Sequence, residues 1–360
     1  MNLDDRARRA AGDIRREIGD HEGASFGQDP FDRFERSLER KTRNQRVAAG
    51  LVAIGLIAVS AVVLARAFGT GEELTPATPT LPSGSILYGE WDEQISQASW
   101  RVVSTDGVEL VDLGWVATCG QWFPDGTRIL TSSDADRGPG RPLRPVVIDP
   151  AGSVVEVLDG TADPDLELGC GAVTPDGSRI VLEGFNEADP ARNGIYSIRT
   201  SDGGDLERLT RGTDCCPQVS PDGTLAAFMR AKPGVQPAGA GAVFVVDLGS
   251  GRAMRITPWG SAFIGTSWSP DGTWIAFQRP YGRLYVVHPD GTDMHEVPVE
   301  LPPGSGASDP TWSPDGEWLL FVLTRDGASN LYAVRLVGTG LTQITTSEAT
   351  EMVGPVWRPL

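Results

Sequence analysis

A Pro-Asp-Gly turn recurs at a nearly constant spacing along most of this chain and limits the fold more than any other feature. Five such turns are evenly spaced and are followed by a sixth proline without its Asp-Gly, and these six prolines are 51, 46, 49, 44 and 45 residues apart. One further Pro-Asp-Gly, from Pro289, lies inside a unit and outside this spacing. A period of this size is typical of proteins built from one repeated supersecondary unit. The six prolines are Pro124, Pro175, Pro221, Pro270, Pro314 and Pro359.

Each unit contains four short apolar runs, which we interpret as strands because they are rich in β-branched and aromatic residues and are bounded by turn residues. In one unit, Ile275–Phe277 follows the turn and Leu284–Val287 comes after a variable loop. A run before each proline supplies another strand. The remaining runs, which follow a Gly-containing turn, are Val154–Val157, Leu206–Leu209, Met254–Ile256 and Leu341–Ile344. Four antiparallel strands per unit predict a β-propeller blade.

The two ends of the repeat region complete each other. Residues Ile86–Trp91 match the run that normally follows a turn, so the first unit lacks its innermost strand. Residues Pro355–Pro359 match an innermost strand with no unit after it. We therefore predict an all-β, six-bladed propeller in which Trp357 lies beside the strand that contains Leu87, because joining the ends removes free strand edges.

The turn residues have a structural explanation. Proline presets φ, the aspartate side chain caps the turn, and glycine accepts a positive φ. The aspartates could instead be metal ligands or catalysts, but their presence in every hairpin favours the structural role.

An uncharged run of 19 residues, 47–65, precedes the repeats and matches the length of a membrane-spanning helix. Lys41, Arg43 and Arg46 precede it, so the positive-inside rule predicts a cytoplasmic N-terminus. The alternative is a cleaved signal peptide, which the long preceding segment disfavours. The predicted domains are a cytoplasmic tail with an amphipathic helix (1–46), a transmembrane helix (47–68), a Pro/Thr-rich stalk (69–84) and the extracytoplasmic propeller (85–360).

Charge limits the partners. The net charge is −17, and residues 47–360 hold 38 acidic and 20 basic side chains. A surface this acidic repels phosphate backbones, so we expect no nucleic-acid partner. Arginine far outnumbers lysine, which occurs only at Lys41 and Lys232, and this suggests a bacterial source.

Three of the four cysteines occupy the same position in successive repeats, and the fourth is adjacent to one of them. Cys119, Cys170 and Cys216 each lie five residues before a repeat proline, and Cys215 is next to the third. Equivalent positions at the start of three innermost strands place them near the mouth of the central channel. A disulfide between blades, free thiols and a metal site all remain open, and a disulfide fits an extracytoplasmic compartment.

Acidic residues in the loops that enter the innermost strands are the candidate ligand-binding groups. Long loops on a rigid scaffold commonly carry binding, and the segments 132–145 and 230–242 belong to the same face. The alternative is that these loops are only solvated surface. The candidates are Asp163, Asp165, Glu167, Asp214 and Asp309.

The stretches WSPDGTWIAF (from Trp268), RLYVV (from Arg283) and DLERLT (from Asp205) resemble the TolB-type, WD-repeat-like β-propeller family. The resemblance covers roughly residues 84–360. It implies a propeller that serves as an interaction platform or as an accessory domain. The tail also resembles, loosely, those of membrane-anchored anti-sigma factors.

The one match to G-x-S-x-G, GASFG from Gly23, lies in the predicted cytoplasmic tail and none lies in the repeats, and His288 and His295 alone make an incomplete metal site. We therefore predict no enzyme activity, no cofactor and no metal. The predicted function is a protein- or ligand-binding platform at the bacterial cytoplasmic membrane, which binds a protein or envelope ligand on the channel-mouth face. The alternatives are a signalling regulator whose tail, residues 1–46, binds a cytoplasmic regulator such as a sigma factor, and a hydrolase with its site in the channel.

Overall fold

A computed structural model describes residues 81–92, 97–117, 119–133, 143–159, 163, 165–234, 241–262, 265–346 and 351–359. The predicted tail, the predicted transmembrane helix and most of the predicted stalk lie outside these residues, so they remain predictions. Within the described ranges, no helix combines the length and the apolar character of a membrane span.

The described residues form six antiparallel sheets of four strands each. The innermost strands, from blade 1 to blade 6, are β24 (Met352–Trp357), β4 (Gly120–Trp122), β8 (Glu167–Val173), β12 (Asp214–Val219), β16 (Thr266–Trp268) and β20 (Gly306–Trp312). The second strands are β1 (Ser85–Asp92), β5 (Ile129–Ser133), β9 (Arg179–Phe185), β13 (Leu225–Arg230), β17 (Ile275–Arg279) and β21 (Trp318–Arg325). The third strands are β2 (Gln97–Ser104), β6 (Arg144–Ile148), β10 (Gly194–Arg199), β14 (Ala242–Asp247), β18 (Arg283–Val287) and β22 (Ala328–Arg335). The outer strands are β3 (Glu109–Ala117), β7 (Val154–Val157), β11 (Glu207–Arg208), β15 (Ala253–Arg255), β19 (His295–Glu296) and β23 (Thr342–Gln343). A short 3-10 helix, Pro190–Arg192, lies between β9 and β10.

Blade 1 is closed by the two ends of the repeat region. Strand β24 pairs antiparallel with β1, with Trp357 opposite Ile86 and Val356 opposite Leu87. The predicted six-bladed, four-stranded propeller and its shared closing blade are therefore confirmed.

The core lies between the blades. Six clusters of buried apolar side chains each join two neighbouring blades. At the closure, Trp357 and Ile86 of blade 1 pack with Trp318 of blade 6. The closing strand therefore contributes both sheet hydrogen bonds and buried apolar surface, which stabilises the ring.

The five evenly spaced Pro-Asp-Gly segments form the hairpin turns between first and second strands. In each turn the aspartate accepts a hydrogen bond from the backbone N–H two residues later, as Asp271 does from Thr273 at 3.0 Å. The glycine of the same turn, Gly272, has a φ of 71°. The predicted structural role of these residues is confirmed.

The outer strands differ most from the sequence prediction. β11 and β23 each have two residues, whereas the apolar runs predicted four, and β19 falls where no run was predicted. Outer strands pair on one side only and are partly exposed, so their apolar pattern is weak.

Candidate functional site

The central channel of the propeller contains a cavity of about 740 Å³. Its wall includes residues of the innermost strands of all six blades, or of the positions just before them. The residue five places before each repeat proline lies on this wall, either just before the innermost strand or within it as far as its middle. The sequence predicted the start of the strand for Cys170 and Cys216, which the structure places further along β8 and β12. We call these six positions the mouth ring: Cys119, Cys170, Cys216, Gly265, Asp309 and Gly354.

The backbone has a positive φ at four of the six positions of the mouth ring. Cys216 and Asp309 have φ values of 57° and 49°, a region that costs about 1–2 kcal/mol for a residue with a side chain. Gly265 and Gly354 also have positive φ. The pairing of β12 with β13, and of β20 with β21, shifts register at this point, which is a β-bulge. Bulges interrupt the ladder, so backbone groups there can face other partners.

Two neighbouring ring positions are covalently joined. Cys119 of blade 2 and Cys170 of blade 3 form a disulfide, with their Cα atoms 5.7 Å apart. Cys215 and Cys216 are free thiols. Of the arrangements that the sequence left open, the structure thus contains a bridge between blades and a separate thiol pair.

Glu183 lies against this cysteine cluster. Its carboxylate accepts hydrogen bonds from the backbone N–H of Cys170 at 3.3 Å and of Cys216 at 3.2 Å, and so links blades 3 and 4. Burial raises the pKa of Glu183, although the two N–H donors oppose the shift. Glu183 is absent from the candidate residues predicted from the sequence. Its signal is an acidic side chain within the apolar run RIVLEGF of β9.

The Cys216 thiol is held in its neutral form. A hydrogen bond that the Cys216 S–H donates to Cys215 raises its pKa well above the usual range, and burial and the negative charges of Glu183 and Asp309 add to the shift. In this state the thiol is a weak nucleophile, because the thiolate is the reactive species.

Asp309 is the only candidate acid from the sequence that contributes to the described cavity wall. Burial raises its pKa to about 6, and the charge of Glu351 adds to the shift, while hydrogen bonds from Ser308 and from the Gly354 backbone N–H oppose it. A carboxyl group in this state can bind a cation or exchange a proton near neutral pH.

The other four candidates lie elsewhere around the mouth. Asp163 pairs with Arg192, and Asp165 is exposed in the loop before β8. Asp214 has a fully buried carboxylate that accepts two hydrogen bonds from Arg230, at 2.6 and 2.7 Å. Its role is therefore structural. Glu167 begins β8 and is half-buried.

Below the ring, polar side chains cross the channel. Gln121 of blade 2 donates to the side chain of Gln218 of blade 4 at 3.3 Å, so two blades that are not neighbours are joined. Ser267 and Thr311 are 3.4 Å apart between blades 5 and 6. These contacts join the inner strands of blades 2 and 4 and of blades 5 and 6.

The two histidines of the propeller lie outside the cavity wall and flank one tryptophan. The His288 ring stacks on Trp274 with a centroid distance of 3.8 Å, and His295 meets its edge at 5.2 Å. Both imidazole Nδ1 atoms are hydrogen-bonded to backbone carbonyl groups. This arrangement is an aromatic cluster, and the two rings are separated by the indole.

No protein-family model matches the chain, and no curated protein sequence is detectably similar to it. Solved structures do share the fold. TolB from Acinetobacter baumannii is 19% identical, with a TM-score of 0.60 over 84% of this chain and 71% of that chain. A TolB-type structure from Agrobacterium tumefaciens is 18% identical, with a TM-score of 0.51 over 74% of this chain and 89% of that chain.

A third similar structure is hydrazine synthase from Kuenenia stuttgartiensis. It is 13% identical, with a TM-score of 0.61 over 77% of this chain and 47% of that chain. Proteins with such different names share the fold, so the similarity does not assign a function. The described part of this chain has the fold of a TolB-type six-bladed β-propeller.

Proposed function

We propose that the propeller is a non-enzymatic binding platform and that its binding surface is the channel mouth. The observation that carries this proposal is the cavity of about 740 Å³, whose wall is shared among all six blades. A rigid scaffold with a concave site and loops around it is the usual arrangement for ligand binding.

The wall offers polar and aromatic contacts. Trp91, Trp100 and Trp268 contribute to it, and aromatic side chains supply large contact areas at low entropic cost. The polar side chains of Gln121, Gln218 and Gln278 also belong to the wall. An inserted peptide segment is a suitable ligand, because it presents both polar backbone groups and side chains.

Charge favours a basic ligand. The described wall includes the acidic residues Asp309 and Glu351 and no arginine, lysine or histidine. The acidic surplus of residues 47–360 would also speed the approach of a positively charged partner. We therefore assign the platform a protein or envelope ligand that presents a basic segment.

Photo-crosslinking in cells tests the binding face. A photoreactive amino acid at exposed Asp165 or Glu187 probes the mouth loops, and one at exposed Thr224 or Thr273 probes the turns at the opposite end of the channel. We expect a discrete adduct from the mouth positions that is lost when Asp309 and Glu351 are replaced by lysine. Adducts from the turn positions alone, or from neither face, would contradict the proposal.

The proposal includes a membrane anchor and an extracytoplasmic propeller. The uncharged run 47–65 supports the anchor, and the disulfide between Cys119 and Cys170 supports an oxidising compartment. Labelling of intact cells with a membrane-impermeant maleimide tests both. Cysteine introduced at Thr273 should react, and cysteine introduced at Ser25 should react only after lysis. The reverse pattern would exclude this topology.

A further inference from the structure

A cluster of two thiols and one carboxylate lies beside the channel, and the proposed platform function does not require it. Cys215 Sγ, Cys216 Sγ and a carboxylate oxygen of Glu183 lie within 4.8 Å of one another. The two thiols come from the bulged start of β12, and the carboxylate comes from β9 in the neighbouring blade. Two sulfur ligands and one oxygen ligand of this kind are a donor set typical of zinc sites.

The carboxylate is fixed in position from three sides. The N–H groups of Cys170 and Cys216 bind its two oxygens, one each. On the third side lies Gly169, where a methyl group would be only 2.5 Å from Glu183 Oε1. The bulge of β8, between Leu168 and Gly171, places both Gly169 and the Cys170 N–H against the carboxylate. A preorganised carboxylate beside two thiols is the arrangement expected of a ligand set.

We propose that Glu183, Cys215 and Cys216 bind a thiophilic divalent cation of the zinc class. In a tetrahedral site with metal–sulfur bonds of about 2.3 Å, neighbouring ligand atoms are about 3.5–3.8 Å apart. The three ligand atoms lie within 4.8 Å of one another, so each pair is at most about 1 Å from this separation.

The surroundings of the three groups favour a cation. Asp309 adds negative charge next to Cys216, and the described cavity wall has no basic side chain. Three protein ligands leave a fourth coordination position, and one of the three, Cys216, lies on the cavity wall. A donor atom of a bound ligand can take that position. The site goes beyond the platform function, which does not depend on it.

Cobalt titration of the purified full-length chain tests the site directly. Cobalt(II) reports tetrahedral thiolate ligation by its visible absorption and by sulfur-to-metal charge transfer, and zinc should displace it. We expect one cobalt per chain, with the Cys119–Cys170 disulfide intact. Absence of the charge-transfer band would overturn the proposal. So would a thiol count showing that Cys215 and Cys216 are oxidised in the protein from cells.

Substitutions test whether each of the three proposed ligands contributes to metal binding. Glu183→Gln should weaken binding by more than about tenfold, the lower range for losing even an outer partner of a metal ligand. Cys215→Ser and Cys216→Ser should each reduce the charge-transfer intensity. Glu207→Gln removes an exposed carboxylate from the outer strand of the same blade and is the matched control, with binding unchanged. Equal affinity in Glu183→Gln and Glu207→Gln would contradict the assignment of Glu183.

Gly169→Ala provides an independent variant that leaves every ligand in place. The added methyl group displaces only the end of the Glu183 side chain, so the propeller should fold with an unchanged circular dichroism spectrum. Cobalt affinity should nevertheless fall by about tenfold, as for loss of a positioning contact. A folded Gly169→Ala chain with normal affinity would show that the carboxylate position does not matter, contrary to the proposal.

Discussion

At the scale of single residues, two non-glycine residues of the mouth ring have a positive φ, which is unfavourable for a residue with a side chain. Asp309 combines a positive φ with a partly buried carboxyl group, and Cys216 combines a positive φ with a partly buried thiol. Glycine occupies the equivalent ring positions Gly265 and Gly354, so the fold does not require a side chain there. Strain of this kind, when the surrounding structure maintains it, is common at functional sites.

Asp309→Asn should stabilise the protein at neutral pH and change its pH dependence. Because the pKa of Asp309 rises from 3.8 to about 6 on folding, the folded chain binds this proton more tightly, and stability falls as pH rises between those values. Asparagine keeps the acceptor for the Gly354 N–H, tolerates positive φ and carries no charge. We expect a gain on the order of 2–3 kcal/mol at pH 7 and little change at pH 3.5.

Denaturant unfolding at the two pH values measures this effect. Asp165→Asn, at an exposed position in the loop before β8, is the control and should have little effect at either pH. The explanation fails if Asp309→Asn leaves the difference in stability between the two pH values unchanged.

Within the turns, Ser269 should matter more than its neighbour Thr273. Buried Ser269 Oγ donates to Asp271 at 2.6 Å and accepts the Trp274 N–H at 2.9 Å, whereas exposed Thr273 only adds a bond to the same aspartate. Ser269→Ala leaves a partly buried N–H without its partner and should cost about 1–3 kcal/mol. Thr273→Ala should cost about 0.5 kcal/mol or less, as is usual at the surface. Thermal unfolding of both variants makes the comparison, and equal losses would refute it.

At the scale of elements, the sequence predicts the buried strands of each blade. It predicts the outer strands less well, because an outer strand pairs with a neighbour on one side only. Runs such as Ile275–Phe277 and Leu284–Val287 have strong apolar patterns because both faces of the sheet are covered by neighbouring blades. β19 has no such pattern. The β-bulges at the mouth ring are marked in the sequence only by a glycine or proline directly after several ring positions, such as Pro217 and Pro310.

The sequence predicts less of the candidate site than of the fold. Repeat register places the cysteines and Asp309 at the channel mouth, because equivalent positions in a propeller have equivalent radii. The choice of Cys119 and Cys170 as the bonded pair depends on how each bulge turns its side chain, which no local pattern encodes. Asp214 is equally acidic in sequence, yet Arg230 neutralises it inside the structure.

The disulfide should contribute a large share of the stability of blades 2 and 3. It joins positions 51 residues apart, so chain-entropy arguments give about 4 kcal/mol, with measured values of about 2–5 kcal/mol. The double variant Cys119→Ser/Cys170→Ser should lose this amount in denaturant unfolding. Reductant should weaken the original chain to a similar extent and leave the variant unchanged. Equal stability of the variant and the original chain would show that the bridge is dispensable.

At the scale of the whole molecule, every functional inference depends on ring closure. β24 supplies one of the six inner walls of the cavity, and its Met352 and Trp357 pack against blade 6. The first strand of the propeller and its last are far apart in the chain, yet the repeat pattern predicts their pairing, because each end lacks what the other supplies. Without this pairing, blade 1 would lose its inner strand and the cavity would be open on one side.

Hydrogen–deuterium exchange of the full-length chain measures ring closure most directly. If β24 pairs with β1, the amides of Met352–Trp357 that bond to β1 should be protected as strongly as those of β8 and β12, although they lie within nine residues of the C-terminus. Peptides from this segment that exchange as fast as an unfolded chain would contradict a closed propeller, and with it the shared cavity and the sites on its wall.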